Sequence, residues 1–212
     1  MSATPSPATR RDELLELAAA MFAERGLRAT TVRDIADAAG ILSGSLYHHF
    51  SSKEEMVDEV LRTFLDWLFD RYQHIIDTEP NPLARFKGLF MASFDAIEHH
   101  HAEVVIYQDE AKRLSAHERF GYIDDLNRRQ RKMWVDVLTE GVDQGYFRPD
   151  TDVDVVYRLI RDVTWVSVRW YQPGGSLTAE QVGRQYLAIV LGGIAAGTPS
   201  DHTDSDEGER HA

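Results

Sequence analysis

The sequence predicts an all-α protein. Apolar side chains recur every three to four residues along most of the chain, which is the spacing of one face of a helix. Capping residues such as Thr9 stand before these segments, and glycines such as Gly26 and Gly40 follow them. No stretch alternates apolar and polar residues as a half-buried strand does. We therefore expect an N-terminal three-helix domain followed by a larger C-terminal helical domain.

The first helices are predicted from their capping residues. The first helix begins after Thr9. Thr31 and Asp34, three residues apart, form a capping box that starts a second, short helix. After the turn at Gly40, a third short helix covers roughly 43–50.

A second capping box, Ser52 with Glu55, opens a long helix that reaches about residue 77. Pro82 then occupies the favoured first position of the next helix. The later helices are expected at 82–99, 102–112, 116–144, 152–171 and 178–196. The expected division is a disordered N-terminus (1–8), an N-terminal domain (9–53), a C-terminal domain (54–197) and a disordered acidic tail (198–212).

Charge is distributed unevenly along the 212 residues. Residues 1–53 carry six basic and six acidic side chains, so the net charge of −12 lies entirely in residues 54–212. An acidic total argues against nonspecific coating of nucleic acid, but it permits a small neutral end to bind DNA. The absence of cysteine excludes disulfides and thiolate chemistry. Without an apolar signal segment or a membrane-length apolar run, we expect a cytoplasmic protein.

The two short helices joined by the Gly40 turn have the helix-turn-helix layout. In that layout the second helix enters the major groove of DNA, so it needs small residues at its N-terminus and polar residues outside. Lys53 begins the following helix, where its charge and the helix dipole can hold a phosphate. The expected DNA-binding residues are Thr30, Thr31, Arg33, Ser43, Gly44, Ser45, Tyr47, His48 and Lys53.

Three stretches carry a resemblance to a known family: TTVRDIA (30–36), AGI (39–41) and LYHHFSSKEEM (46–56). They resemble the DNA-binding domain of the tetracycline-repressor (TetR) family of transcription regulators. The resemblance implies an all-helical homodimer that binds palindromic double-stranded operator DNA. One departure is Leu42, which stands where the family usually has the Ser or Thr that caps the recognition helix, and it leaves the contact register near Ser43 open.

The segment 152–171 contains a possible ligand site. Helical spacing places Arg161, Trp165 and Arg169 along one side. Guanidinium groups bind phosphates and carboxylates, and both Arg and Trp stack on a flat base, which favours an anionic ligand with an aromatic group. An equal alternative is that the arginines pair with acidic neighbours and the Trp packs on another helix. Phe90 and Phe94 offer an apolar ligand wall, or ordinary core.

The chain also resembles actinobacterial TetR-family regulators of steroid (cholesterol) catabolism that respond to CoA thioesters. This resemblance implies a repressor with no cofactor, released from DNA by an acyl-CoA effector. Two alternatives stay open: a repressor of efflux or other catabolism with a hydrophobic ligand lacking CoA, and an enzyme acting on CoA esters. Because no nucleophile–base pair is recognisable, we expect no catalytic residues and no enzyme.

Three further patterns favour structural interpretations. Adjacent histidines at 99–101 point in different directions on a helix, so no metal site is expected. The basic run 128–132 is interpreted as pairing with acidic residues of the surrounding helices, and contact with an anionic ligand is the alternative. Dimerisation is expected through the last two helices. The apolar face expected there is Tyr186, Leu187, Val190, Leu191 and Ile194.

Overall fold

The computed structural model describes residues 9–196, so the predictions for the two chain ends lie outside the described residues. Between residues 9 and 196 the chain forms nine α-helices and no strand, which confirms the predicted all-α class. The helices are α1 (Arg10–Arg25), α2 (Val32–Ala38), α3 (Ser43–Leu46), α4 (Lys53–Thr78), α5 (Pro82–His99), α6 (His101–Leu114), α7 (Tyr122–Asp143), α8 (Val153–Val166) and α9 (Ala179–Ile194). Two 3₁₀ turns cover Glu118–Phe120 and Ser167–Arg169.

Helices α1 to α3 form a small unit, called the head below. The predicted capping box at α2 is present: Asp34 N donates to Thr31 Oγ1 at 3.2 Å, and Thr31 N donates to the Asp34 carboxylate at 2.8 Å. Gly26 and Gly40 end α1 and α2 with φ of 85° and 67°, which residues with a Cβ rarely adopt. The core of the head consists of Leu14, Ala18, Phe22, Ile35, Leu46 and Phe50.

Helices α4 to α9 form the second unit, called the body below. Helix α5 is its central element and packs against α4, α6, α7, α8 and α9. Its ring Phe86 is fully buried and meets Trp134 edge to face at a centroid distance of 5.9 Å. A Cβ on Gly183 would lie 2.9 Å from the Phe94 ring, so α9 approaches α5 this closely only because residue 183 is glycine.

Two connections join the head to the body. Helix α4 starts beneath the head and runs into the body, and α6 packs directly against α1. Arg11 of α1 pairs with Glu59 of α4. The head therefore moves relative to the body only if α4 or α6 shifts.

Three predicted helix boundaries are wrong. The third helix ends at Leu46 rather than near residue 50. The segment 116–144 is interrupted at Gly121, between a 3₁₀ turn and α7. The segment 152–171 stops being α-helical at Val166, because the chain tightens into a 3₁₀ turn where Ser167 Oγ donates to Thr164 O at 2.5 Å.

The last two helices divide their apolar side chains between the core and the surface. Trp165 is buried, as the alternative of packing on another helix requires, whereas Leu159 and Trp170 are half exposed. On α9, which packs against α5, Val190 and Ile194 are buried in the protomer's own core. Tyr186, Leu187 and Leu191 are only half-buried, and dimerisation through this face stays a prediction.

None of the helices between residues 9 and 196 is long and apolar enough to cross a lipid bilayer.

Candidate functional site

A groove of about 490 Å³ lies on the head where α2, α3 and α4 meet. It brings together four of the predicted DNA-binding residues, and Thr31, Arg33, Tyr47 and Lys53 all line it. Arg33 and Tyr47 are exposed there, and the nearest carboxylate to Arg33 is Asp37, at 3.6 Å. The groove thus presents a guanidinium and a phenol close to the start of a helix, a combination suited to phosphate oxygens.

The recognition helix α3 has only four residues, and three of them are small. Gly44, Ser45 and the following His48 are exposed, and Ser43 is half-buried. Leu46 is fully buried and fixes the helix to the head. This arrangement leaves the backbone at the start of α3 free to approach the edges of base pairs.

Thr30 and Lys53 have structural partners within the head. Thr30 is fully buried, and its hydroxyl donates to Gly26 O at 3.0 Å. The Lys53 ammonium donates to Leu27 O at 2.7 Å and to Thr30 O at 2.9 Å. Both side chains therefore stabilise the loop between α1 and α2. Their contact with DNA stays a prediction, and Thr30 would make it through its backbone.

Leu42 was not expected to take part in the site. It is the N-cap residue of α3, where it makes no side-chain cap bond, and 80% of its surface is exposed. The signal in the sequence was its departure from the usual capping residue. That departure pointed to an uncertain register rather than to an exposed leucine.

A second candidate site is a cleft of about 520 Å³ in the body, between α6, α7 and α8. Arg161 and Trp165 of α8 form part of its wall, as predicted side by side. The acidic lining residues are Asp124 and Asp162. The cationic ones are Lys112, Arg128, Arg131 and Arg161, so the lining is net positive in a body that is strongly acidic overall.

The arginines of this cleft pair with neighbouring carboxylates. Arg161 Nε donates to Asp162 Oδ1 at 2.8 Å, and Arg131 pairs with Asp154. The partners are largely solvent-exposed, and such pairs contribute little free energy. An anion of higher charge can therefore replace these carboxylates at modest cost.

Two neutral tyrosines line the same cleft. Burial raises the pKa of both Tyr107 and Tyr157, so their phenols carry no charge at neutral pH. Tyr107 donates its single O–H to the side chain of Asn127, which also lines the cleft. A ligand that reaches this wall therefore meets the Tyr157 phenol on α8 together with cations on α6, α7 and α8.

A small closed space lies behind Trp165. It is bordered by Ser93, Gln130, Thr164 and Trp165 among others, and it shares Gln130 and Trp165 with the cleft. The hydroxyl of Thr164 is buried, and the described part of the chain offers it no hydrogen-bond partner. A buried unpaired hydroxyl is unfavourable, so Thr164 would be stabilised by a polar atom placed beside it.

The other predicted ligand residues lie elsewhere. Arg169 is absent from the lining of the cleft, and its guanidinium lies 3.3 Å from Asp109, because the 3₁₀ turn after Val166 carries it out of line with Trp165. Phe90 and Phe94 are fully buried and stack at a centroid distance of 5.5 Å within the core. Their contacts with a ligand stay predictions.

Sequence reasoning missed the contribution of α6, and it gave contact between the basic run 128–132 on α7 and an anionic ligand only as the alternative. Arg128 and Arg131, three residues apart, share a face of α7 that lines the cleft, whereas Lys132 pairs with Asp136 at 2.6 Å. Arg129 instead lies over the Phe69 ring, with its guanidinium carbon 5.1 Å from the centroid. The basic run could have indicated the contribution of α7, because helical spacing divides its residues between two faces of the helix.

The three adjacent histidines are used separately. His100 packs on Trp67 with ring centroids 4.3 Å apart, and His101 Nε2 lies 3.2 Å from Tyr171 O. Across residues 9–196 no three side chains of ligating type come together as a metal site would require.

Large apolar side chains are exposed on and beside α8 and α9. These residues are called the apolar patch below. The patch comprises Val155, Leu159, Val166, Trp170, Leu177 and Ile189.

Comparisons with known proteins agree with this architecture. Residues 14–60 match the family model described as bacterial regulatory proteins, tetR family, and residues 79–194 match the tetracyclin repressor-like C-terminal domain. The chain is 78% identical over 186 residues to an HTH-type transcriptional repressor KstR2 of Mycobacterium tuberculosis, covering 88% of this chain and 93% of the relative. It is 70% identical to the KstR2 repressor of Mycolicibacterium smegmatis, covering 99% and 98%.

A solved structure is similar as well. The ketosteroid transcriptional regulator KstR2 of Mycobacterium tuberculosis superposes with a TM-score of 0.89 at 74% identity, covering 92% of this chain and 100% of that one.

Proposed function

This chain belongs to the TetR family of bacterial transcriptional regulators, and from that premise we propose that it represses genes of steroid catabolism and is released from DNA by a CoA thioester. Its relatives in Mycobacterium tuberculosis and Mycolicibacterium smegmatis are KstR2 transcriptional repressors, and the similar solved structure is a ketosteroid transcriptional regulator. Both family models belong to transcription regulators, so the chain is not an enzyme. The proposed repressor works in the cytoplasm, where its operator is found.

The proposed DNA contact is made by the head. Helix α3 enters the major groove, while Arg33, Tyr47 and Lys53 at the adjoining groove meet phosphates. Two heads in a homodimer would read a palindromic operator whose half-sites lie about one helical turn, or a multiple, apart.

The proposed effector is an acyl-CoA bound in the body's cleft. The single observation that carries this proposal is the meeting of four cationic side chains with Trp165 around one open cavity. A CoA thioester is polyanionic and carries an adenine ring and an apolar acyl group. Its phosphates would replace Asp162 and Asp154 at Arg161 and Arg131, and its flat or apolar parts would lie against Trp165.

Release of DNA requires a difference in ligand affinity between two conformations. The ligand must bind the conformation that cannot hold the operator more tightly than it binds the DNA-bound conformation. The long helix α4 joins the body to the head, but none of the residues lining the cleft comes from it. Helix α6 supplies Tyr107, Lys112 and others to the cleft and also packs on α1 of the head. A shift of α6 is therefore the shorter route, with a coupling of about 1–3 kcal/mol typical of such systems.

A release assay tests the effector. A labelled operator duplex bound to the protein is titrated with a panel of acyl-CoA esters, with each matching free acid, and with CoA alone. We expect release by thioesters and by neither of the controls. Equal release by a free acid would contradict the proposal and favour a hydrophobic ligand without CoA.

The proposed dimer covers the apolar patch with a second copy of this chain. Four large apolar side chains on α8 and α9, with Trp170 and Leu177 beside these helices, form too extensive a surface to leave in water. Light scattering should give a mass near twice 24.1 kDa. Leu159→Glu with Ile189→Glu should yield monomers, whereas Ala20→Glu, an exposed position on α1, should not. A wild-type mass near 24.1 kDa would overturn this part of the proposal.

A further inference from the structure

Between residues 9 and 196, two large apolar or aromatic side chains are exposed away from the apolar patch, and both flank α3. They are Leu42, which is 80% exposed, and Tyr47, which is 55% exposed. The hydroxyl of Tyr47 gives it a polar partner in water or on a phosphate. Leu42 has no polar atom in its side chain, so its exposure lacks that explanation.

Leu42 also occupies a position where a polar residue would stabilise the helix. It is the N-cap of α3, with φ −71° and ψ 143°, and its carbonyl already accepts Ser45 N at 2.9 Å. A Ser, Thr, Asp or Asn in this conformation would also bind a free N–H of the first turn through its side chain. The chain therefore forgoes a helix cap and exposes an apolar group at the same residue.

We propose that Leu42 reads a thymine in each operator half-site by packing against its C5-methyl group, an inference that rests on the proposed DNA-binding function. Its neighbours Ser43, Gly44 and Ser45 have short side chains, so Leu42 extends further than they do at the start of the recognition helix. Among base-pair edges in the major groove, the thymine methyl is the apolar group. Contact with it removes both apolar surfaces from water.

The position argues against a protein partner. The apolar patch lies on and beside α8 and α9 in the body, whereas Leu42 belongs to the head, as the N-cap of α3. Tyr47, at the other end of α3, lines the groove that also holds Arg33 and Lys53. A helix of small residues that ends at a cationic groove suits the base edges and phosphates of one duplex.

The test uses DNA selected by the full-length protein from a random duplex library. In the selected site, one thymine position at a time is changed to deoxyuridine, which lacks only the methyl group. Each change is made at the equivalent position of both half-sites. At one position we expect wild-type binding to weaken about 3–10-fold, from two methyl groups per dimer. Leu42→Ala should bind the thymine site more weakly and should show no difference between thymine and deoxyuridine at that position.

Two further variants separate the methyl contact from helix stability. Leu42→Ser restores a capping side chain, so it should keep or raise the melting temperature and still lose the methyl effect. His48→Ala, at another expected DNA contact, should weaken binding to the thymine and deoxyuridine sites by the same factor, so that the ratio between them stays as in wild type. The proposal is overturned if wild type is indifferent to every thymine methyl, or if Leu42→Ala stays as sensitive as wild type. Failure of wild type to select any sequence would instead overturn DNA recognition itself.

Discussion

The head and the cleft surround their cations differently. In the head, the Arg33 side chain is 83% exposed and forms a loose ion pair with Asp37, at 3.6 Å. In the cleft, Arg161 contacts Asp162 at 2.8 Å, and Arg131 pairs with Asp154. A DNA phosphate at Arg33 therefore displaces a weaker contact than an anion in the cleft would have to replace. For this reason the proposed effector is expected to offer more negative charge than one aspartate.

The largest expected effect comes from a substitution that weakens ligand binding in the cleft and leaves the head unchanged. Arg161→Met keeps most of the side-chain volume but removes a charge-assisted contact, so the acyl-CoA concentration for half-release should rise about 10–150-fold. Operator affinity without ligand should not change. The measurement is operator release titrated with acyl-CoA for variant and wild type.

Arg169→Met is the matched control, because Arg169 lies outside the cleft lining and faces Asp109. We expect it to change half-release less than Arg161→Met does. Equal increases in the half-release concentration of both variants would support the prediction from the sequence that the two arginines act together.

Trp165→Leu should weaken release through lost stacking. An unchanged half-release concentration in all three variants would mean that this face of the protein does not bind the effector.

The next largest effect comes from substitutions that weaken DNA binding by the head and leave the cleft unchanged. Tyr47→Ala and Lys53→Ala should each weaken operator binding about tenfold, since two heads each lose a phosphate contact. Only the lysine change should lower the salt slope, by about one unit per head. Binding curves measured across salt concentrations check both statements.

Lys53 needs a separate stability measurement, because its ammonium also holds Leu27 O and Thr30 O. A variant that melts at a lower temperature but keeps the wild-type salt slope would show that Lys53 acts on the loop and not on DNA.

The head was predictable because its signals are local. The capping box of Thr31 with Asp34, and Gly40 with its positive φ, fix their own elements without help from distant residues. What failed there was the length of α3: after Leu46 the chain turns, and buried Phe50 packs into the core of the head. That packing is a tertiary effect invisible to helix propensity.

The cleft was predictable only in part because it is assembled from three helices. Arg161 and Trp165 lie one turn apart on α8, and their side-by-side placement follows from helix geometry alone. Arg169 failed to align because the helix changed type at Ser167, where a side chain bonds the backbone. Lys112 and Arg131 join them only through the packing of α6 and α7, which periodicity does not specify.

The smallest expected effect concerns the pH dependence of stability, which involves one carboxylate in each region. In the body, the pKa of Glu98 is lowered because the Tyr171 hydroxyl and Ala179 N–H donate to its carboxylate, the latter at 2.9 Å. In the head, Thr31 lowers the pKa of Asp34 in the same way. Because both folded pKa values lie below the ordinary ones, each carboxylate stabilises its region fully above its unfolded pKa, and the stabilisation is lost as pH falls through the folded pKa.

Glu98→Gln should therefore lower the free energy of unfolding at pH 7 by about 1 kcal/mol, the typical worth of such a hydrogen bond, and less at pH below the ordinary glutamate value. Urea unfolding at both pH values measures this. Asp34→Asn, confined to the exposed start of α2, should change operator binding more than global stability. An equal Glu98→Gln deficit at both pH values would mean that the side chain's shape, and not its charge, ties α9 to α5.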